Sequence, residues 1–210
     1  MSFRRRFGSG DVRVLEDERV FDGYFRVHRR KFQHRGFDGD WCEPVVREVF
    51  ERGDAVGVLP YDPDGDRLFL IEQFRAGSMG DGGGPWMLEL IAGIVEPGED
   101  DASVARREAE EEAGCSIDEL EPIAAYYPSA GACPEHVRLF CGRAVSAAVG
   151  EVRGLAGEGE DILVHEFSRD EILALRADGQ ITNGHTLVAL QWFALHWQGL
   201  RERWIGPDGA

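Results

Sequence analysis

Between residues 102 and 113 the apolar residues change their period. Ala102, Ala105, Ala109 and Ala113 recur at helical spacing, and Gly114 stands where a helix C-cap belongs. Strand-like segments lie on both sides of this helix, so its alanine stripe has a sheet to pack on. Upstream, Tyr24–Arg29 and Pro44–Phe50 read as strands with a turn at Gly36–Asp40. Ala55–Leu59 and Leu68–Gln73 form a hairpin turning at Asp62–Asp66, with Asp64-Gly65 as the turn signal. Trp86–Ile91 is a further strand, and Gly80–Pro85 before it is expected to be a mobile loop. Downstream, Ile123–Tyr127, Val137–Cys141 and Ile162–Phe167 read as strands. Ser168-Arg169-Asp170-Glu171 is a capping box that predicts a helix to about Ala177, and Thr186–Trp197 is a closing amphipathic helix. The class is α/β, with a mixed sheet carrying helices on its faces and a small β-rich piece ahead of it. The expected boundaries are 1–53 and 54–210.

At 210 residues the chain can bury a sizeable core without staples. Its four cysteines, Cys42, Cys115, Cys133 and Cys141, form no C-x-x-C pair and are expected to be reduced thiols. The three arginines near the N-terminus precede no apolar stretch, so no signal peptide is expected. No run approaches the ~20 apolar residues of a membrane span. The cytoplasm is the expected compartment. A formal net charge of -16 argues against nucleic acid and anionic membrane as partners. It also demands local arginines or metal cations if the substrate carries phosphate.

Both are present. At about 100° per residue, Glu108, Glu111 and Glu112 share one helix face, while Glu110 points to the opposite side. Like charges at this spacing oppose the helix by roughly 0.2–0.5 kcal/mol per pair. A hard divalent cation among them removes that cost, and oxygen-only ligands favour magnesium or manganese over zinc. On charge alone a solvated acidic face is the commoner explanation. The surrounding residues decide otherwise. Gly93, Glu99, Arg107, Glu108, Glu111, Glu112 and Gly114 match every fixed position of the string G-x5-E-x7-R-E-x-x-E-E-x-G. Two further positions of that pattern, usually bulky and aliphatic, hold Ala109 and Cys115.

That string is the Nudix box, and the chain resembles the bacterial ADP-ribose diphosphatase branch of the Nudix superfamily. The resemblance extends to Val46–Gly53, Ile71–Arg75, Pro85–Glu89, Gly154–Asp161 and Ala189–Trp192. It implies an α/β/α sandwich with a small N-terminal antiparallel β domain that serves dimerisation and substrate binding. It implies a homodimer in which the N-terminal domains are exchanged. It further implies Mg2+, with Mn2+ as a substitute, held by the carbonyl of Ala92, by Glu108 and Glu112, with Glu111 close by, and by Glu160. Glu158, in the same glycine-containing loop as Glu160, matches the base that activates water, so Glu158, Glu111 and Glu112 are the expected catalytic residues.

Arginine forks bind phosphate oxygens in pairs, and Arg47, Arg52 and Arg75 match substrate contacts in the family. Tyr24 and Phe25 match positions near adenine. Glu48 and Ile94 also fall at substrate-binding positions. Ser129, Ala130, Gly131 and Glu135 match a partner-chain loop at the terminal ribose. There the family's Ser-Pro-Gly is replaced by Pro128-Ser129-Ala130-Gly131, which bears on sugar choice. His136 follows and has either a structural or a substrate-facing role. The implied reaction is hydrolysis of ADP-ribose to AMP and ribose 5-phosphate. The alternatives are another ADP-sugar or GDP-mannose as substrate, and a non-catalytic nucleotide-binding regulator. The last normally loses box carboxylates that are all present here.

Overall fold

The computed structural model describes residues 3–80, 82–155, 157 and 159–205. The chain divides into two compact units, one running to Gly53 and including Tyr127–Glu135, the other holding Asp54–Tyr126 and the chain from His136 onward.

The first unit is an antiparallel meander of β1 (Val12–Asp22), β2 (Arg26–His34) and β3 (Val45–Glu51). Gly36 N–H donates to Asp40 O at 2.8 Å, and this closes the turn expected between β2 and β3. β1 has no counterpart among the strands expected from sequence. The whole strand is exposed and four consecutive charged residues, Glu16–Arg19, interrupt its apolar ones, so no buried face shapes its pattern. Opposite charges facing one another across the strands hold it instead. Asp17 accepts from His28 Nδ1 at 2.7 Å and from Arg30 Nε at 2.9 Å; Arg30 Nη2 continues to Glu51 at 2.7 Å. These hydrogen bonds hold the Asp17 carboxyl below its usual range. Tyr127–Glu135 joins this unit through Phe50 N–H, which donates to Ala132 O at 2.8 Å.

The second unit is built on an eight-stranded mixed sheet: β4 (Ala55–Asp62), β5 (Arg67–Phe74), β6 (Trp86–Glu89), β7 (Ile91–Ile94), β8 (Ser116–Tyr126), β9 (Val137–Ser146), β10 (Val152–Arg153) and β11 (Ile162–Ser168). The path runs β10-β11-β5-β4-β9-β8, with β6 on β5 and β7 on β4, and β4 pairs parallel to β9. Both faces are covered, so β4 reads as an almost unbroken apolar run. Its Ala55, Leu59 and Tyr61 face α2 (Arg169–Ala177) and α3 (Gly184–Ile205) through Ile172, Leu190, Phe193 and Trp204. Its Val56 and Val58 face α1 (Asp101–Ala113) through Val104, Ala105, Ala109 and Ala113. The α/β/α sandwich is therefore as the sequence implies.

Local signals explain the helix ends. Asp100 caps α1 by accepting from Ser103 N–H, and Gly114 ends it in the left-handed region at φ 54°. The Ser168–Glu171 capping box starts α2 where expected. Two expectations need correction. Trp86–Ile91 is not one strand: the chain leaves β5 at Glu89 and joins β4 at Ile91, because Leu90 N–H donates to Thr186 Oγ1 at 2.9 Å instead of to a strand. The closing helix is longer than 186–197 and is anchored at both ends by Thr186 and Trp204. The β4–β5 turn lies where expected, and its left-handed residue is Asp66, at φ 53°.

No helix among the described residues is long and apolar enough to cross a membrane. All four cysteines are free; Cys115, Cys133 and Cys141 are buried and Cys42 is partly open. Burial pushes the Cys115 thiol up to about 12. A thiol reagent at neutral pH should therefore label Cys42 fast and the other three only after denaturation, as followed by absorbance and peptide mapping. Fast labelling of all four in the native protein would contradict this core.

Candidate active site

The acidic face of α1 lies against β7. Contact is possible because Gly93, in β7, has no side chain: a Cβ there would overlap the Glu108 carboxylate. The glycine that opens the motif thus has a packing reason, close approach of helix to strand. Glu112 is 3% exposed, and its Oε2 accepts from Ala92 N–H at 3.2 Å. Glu108 is largely buried beside it. Arg107 gathers the outer carboxylates, donating to Glu108 Oε1 at 2.7 Å, Glu111 Oε2 at 3.1 Å and Glu99 Oε2 at 3.3 Å. Glu99 in turn accepts from Glu96 N–H at 2.9 Å, which orders the loop before the helix. Glu99, Arg107, Glu108 and Glu111 therefore sit in one connected network, with Glu112 beside it on the backbone of Ala92.

Burial pushes Glu112 well above the usual carboxylate range, and the charges of Glu108 and Glu160 push it further. Burial also raises Glu108, against the opposing pull of Arg107. Glu160 comes from the loop after β10, and its Oε2 accepts from Leu155 N–H at 2.9 Å. Three carboxylates from α1 and this loop thus repel one another in a partly dry place. As their side chains stand, no three His, Cys, Asp or Glu groups among the described residues close around a point that could hold a metal. Glu108 is turned to Arg107 and Glu112 to a backbone N–H. The donor set still fits a hard cation. It consists of oxygens, and it carries uncompensated buried negative charge that a divalent ion would offset.

Arg75, just beyond β5, acts electrostatically on Glu112 and Glu160, so it belongs to the same cluster. It is fixed by Glu89, whose Oε2 accepts from Arg75 Nε at 2.9 Å and Nη2 at 2.7 Å. Ile94 lies at the open end of β7, 36% exposed. Glu158, the expected base, lies outside the described residues, as does Ala156.

The other candidates lie on the first unit, except His136, which belongs to the second. Tyr24 is exposed and meets Phe25 edge-on at 4.8 Å; Phe25 meets Phe50 at 4.9 Å. The Arg52 guanidinium is 5.9 Å from the Phe25 ring centroid and its Nε is 3.4 Å from the buried Glu135 carboxylate. Arg47 is exposed and donates to Val46 O, and Glu48 lies 3.6 Å from Arg29. Ser129, Ala130 and Gly131 form an exposed turn closed by Cys133 N–H donating to Ser129 O at 2.9 Å. His136 has a structural engagement: its backbone N–H donates to Asp54 Oδ1 at 3.1 Å, and its Nδ1 lies 3.2 Å from Arg138 Nη1.

The sequence alone assigns Glu89 no role, although at 2% exposed it is more buried than Glu112. A glutamate ending an apolar strand is the only local signal of it. Its partners, Arg75, Gln73 and Asn183, are too far apart in the chain for spacing to reveal them.

A family model described as the NUDIX domain matches residues 51–203. The chain is 39% identical to the ADP-ribose pyrophosphatase of Escherichia coli (strain K12) over 198 residues, covering 94% of this chain and 95% of that one. It is 37% identical to the ADP-ribose pyrophosphatase of Haemophilus influenzae, covering 97% and 95%. It is 30% identical to the GDP-mannose pyrophosphatase of Yersinia pestis, covering 88% and 92%. A solved structure described as an ADP compounds hydrolase superposes with a TM-score of 0.72 at 19% identity, over 90% of this chain and 96% of that one, which is a likeness of fold.

The raised Glu112 carboxyl has a pH consequence. A folded value above the unfolded one contributes stability below the unfolded value, and that contribution is lost as pH rises through the folded value. In chelator, melting temperature measured against pH should fall more between mildly acidic and alkaline pH in the wild type than in Glu112→Gln. Parallel curves would mean that Glu112 is not a strained carboxylate.

Proposed function

This chain belongs to the Nudix family, and from that premise we propose that it hydrolyses the diphosphate bond of ADP-ribose to AMP and ribose 5-phosphate. Its family generally uses divalent metals; the ion assigned here is Mg2+, with Mn2+ as a substitute. The observation that carries the reading is the buried carboxylate pair Glu108 and Glu112, held against Gly93 with Arg75 and Glu160 alongside. Near full-length likeness to two proteins named ADP-ribose pyrophosphatase supports the substrate.

A diphosphate resists water because its negative charge repels a nucleophile. Bound magnesium supplies charge neutralisation and a lowered pKa for coordinated water. Glu108, Glu112, Glu160 and the Ala92 carbonyl are its assigned ligands, with Glu111 beside them. Glu158 is the assigned base, taking the proton of the attacking water. Arg75 binds phosphate oxygens. Arg47, Arg52 and Glu48, with Tyr24 and Phe25 stacking on adenine, form the nucleotide end, and Ile94 borders the substrate. Ser129, Ala130, Gly131 and Glu135 meet the terminal ribose. The chain acts as a cytoplasmic homodimer that exchanges its N-terminal domains, 1–53, beside catalytic domains of 54–210, so that each site takes residues from two copies.

One observation favours a second substrate. Pro128-Ser129-Ala130-Gly131 departs from the family's loop, and a protein named GDP-mannose pyrophosphatase is 30% identical. The regulator reading is disfavoured because Glu108, Glu111 and Glu112 are all retained.

The test is a panel of nucleoside-diphosphate compounds assayed with Mg2+. ADP-ribose should give the highest kcat/KM, and Glu112→Gln should lower kcat by at least about 100-fold while the fold persists. A preference for GDP-mannose would replace the substrate, and near-normal turnover by Glu112→Gln would remove the metal assignment.

A further inference from the structure

Glu89 ends β6, and its side chain is almost wholly enclosed at 2% exposed. Both of its oxygens are committed. Oε2 takes Arg75 Nε and Nη2, with Gln73 Nε2 at 3.5 Å, and Oε1 takes Asn183 Nδ2 at 2.9 Å. Asn183 cannot turn away, because its Oδ1 accepts from Thr186 N–H at 2.9 Å and from Thr186 Oγ1 at 3.0 Å, as the N-cap of α3. Thr186 Oγ1 in turn accepts from the N–H of Leu90, the residue after Glu89. The hydrogen bonds thus close a ring from Glu89 through Asn183 and Thr186 back to Leu90. The backbone of Arg75 is tied to the same hairpin, its N–H donating to Pro85 O at 2.7 Å.

We propose that Glu89 is a positioning residue for Arg75, and that Asn183 transmits the fixed N-terminus of α3 to it through this ring. The proposal rests on the reading that Arg75 grips substrate phosphate. A carboxylate enclosed at 2% exposure, with both oxygens already turned to Arg75 and Asn183, acts through those partners. Burying the carboxylate of an ion pair is a poor device for stability alone, since desolvation opposes the attraction to a half-exposed Arg75. What it provides here is orientation. Glu89 takes one edge of the guanidinium fork and leaves the edge bearing Nη1 for a phosphate oxygen. Asn183 and Thr186 stop Glu89 from following Arg75 outward.

The test is a double-mutant cycle in steady-state kinetics with ADP-ribose, using Glu89→Gln, Arg75→Ala and the pair, each checked for an intact fold by melting. Glu89→Gln should lower kcat/KM about 10–100-fold, the range typical of outer partners that orient contacting groups. In the Arg75→Ala background the same substitution should cost almost nothing, because its target is gone. Penalties that multiply, or a Glu89→Gln enzyme with normal kinetics beside an impaired Arg75→Ala enzyme, would overturn the proposal. A normal Arg75→Ala enzyme would instead overturn the reading of Arg75 itself, and the proposal with it. If Glu89→Gln fails to fold, Asn183→Ser keeps a cap acceptor, removes the Oε1 bond and runs the same cycle.

Discussion

The structure of the catalytic unit depends on the seating of one charged helix face against one strand. Glu108 and Glu112 are buried where α1 crosses β7, and this contact exists because Gly93 offers no Cβ. An arrangement of this kind opposes folding unless something meets the charge. Arg107 meets part of it at the rim, by binding Glu99, Glu108 and Glu111 together. Glu112 receives a single backbone N–H, and burial raises it well above the usual carboxylate range. The alanine stripe beside the carboxylates brings α1 close to the sheet, and Gly114 ends the helix as soon as the last carboxylate is placed. Packing and chemistry therefore constrain the same dozen residues.

Most of this arrangement is legible in the order of the amino acids. The helix, its C-cap and its carboxylate face follow from spacing, and the Ser168–Glu171 box locates α2. What stays hidden has physical reasons. β1 is exposed along its whole length and held by cross-strand charge pairs such as Asp17 with Arg30, so no hydrophobic alternation marks it. The break at Leu90 depends on a hydrogen bond to Thr186, nearly a hundred residues away. Glu89 hides for the same reason: burial and partners are tertiary facts, and its place between Leu88 and Leu90 hints at burial but not at Arg75 or Asn183.

The acidic balance of the chain also finds its explanation locally. A net charge of -16 would repel a diphosphate, yet Arg75 stands within the electrostatic reach of Glu112 and Glu160. Cation and carboxylates there form a mixed field, in which the arginine and a divalent ion on the carboxylates are the proposed holders of an anion. In the first unit Arg52 lies beside the Phe25 ring and Glu135, an arrangement that combines an aromatic face with a fixed guanidinium. Such pairs suit a purine nucleotide, whose base is flat and whose phosphates are charged.

A divalent cation on the buried face of α1, serving a diphosphate, should be visible in a crystal structure with Mn2+ and a non-cleavable ADP-ribose analogue, read by anomalous scattering. Manganese peaks are expected between Glu108, Glu112 and the Ala92 carbonyl, with the analogue's phosphates on the same ions. Peaks confined to other carboxylates, with the analogue bound away from α1, would contradict that site.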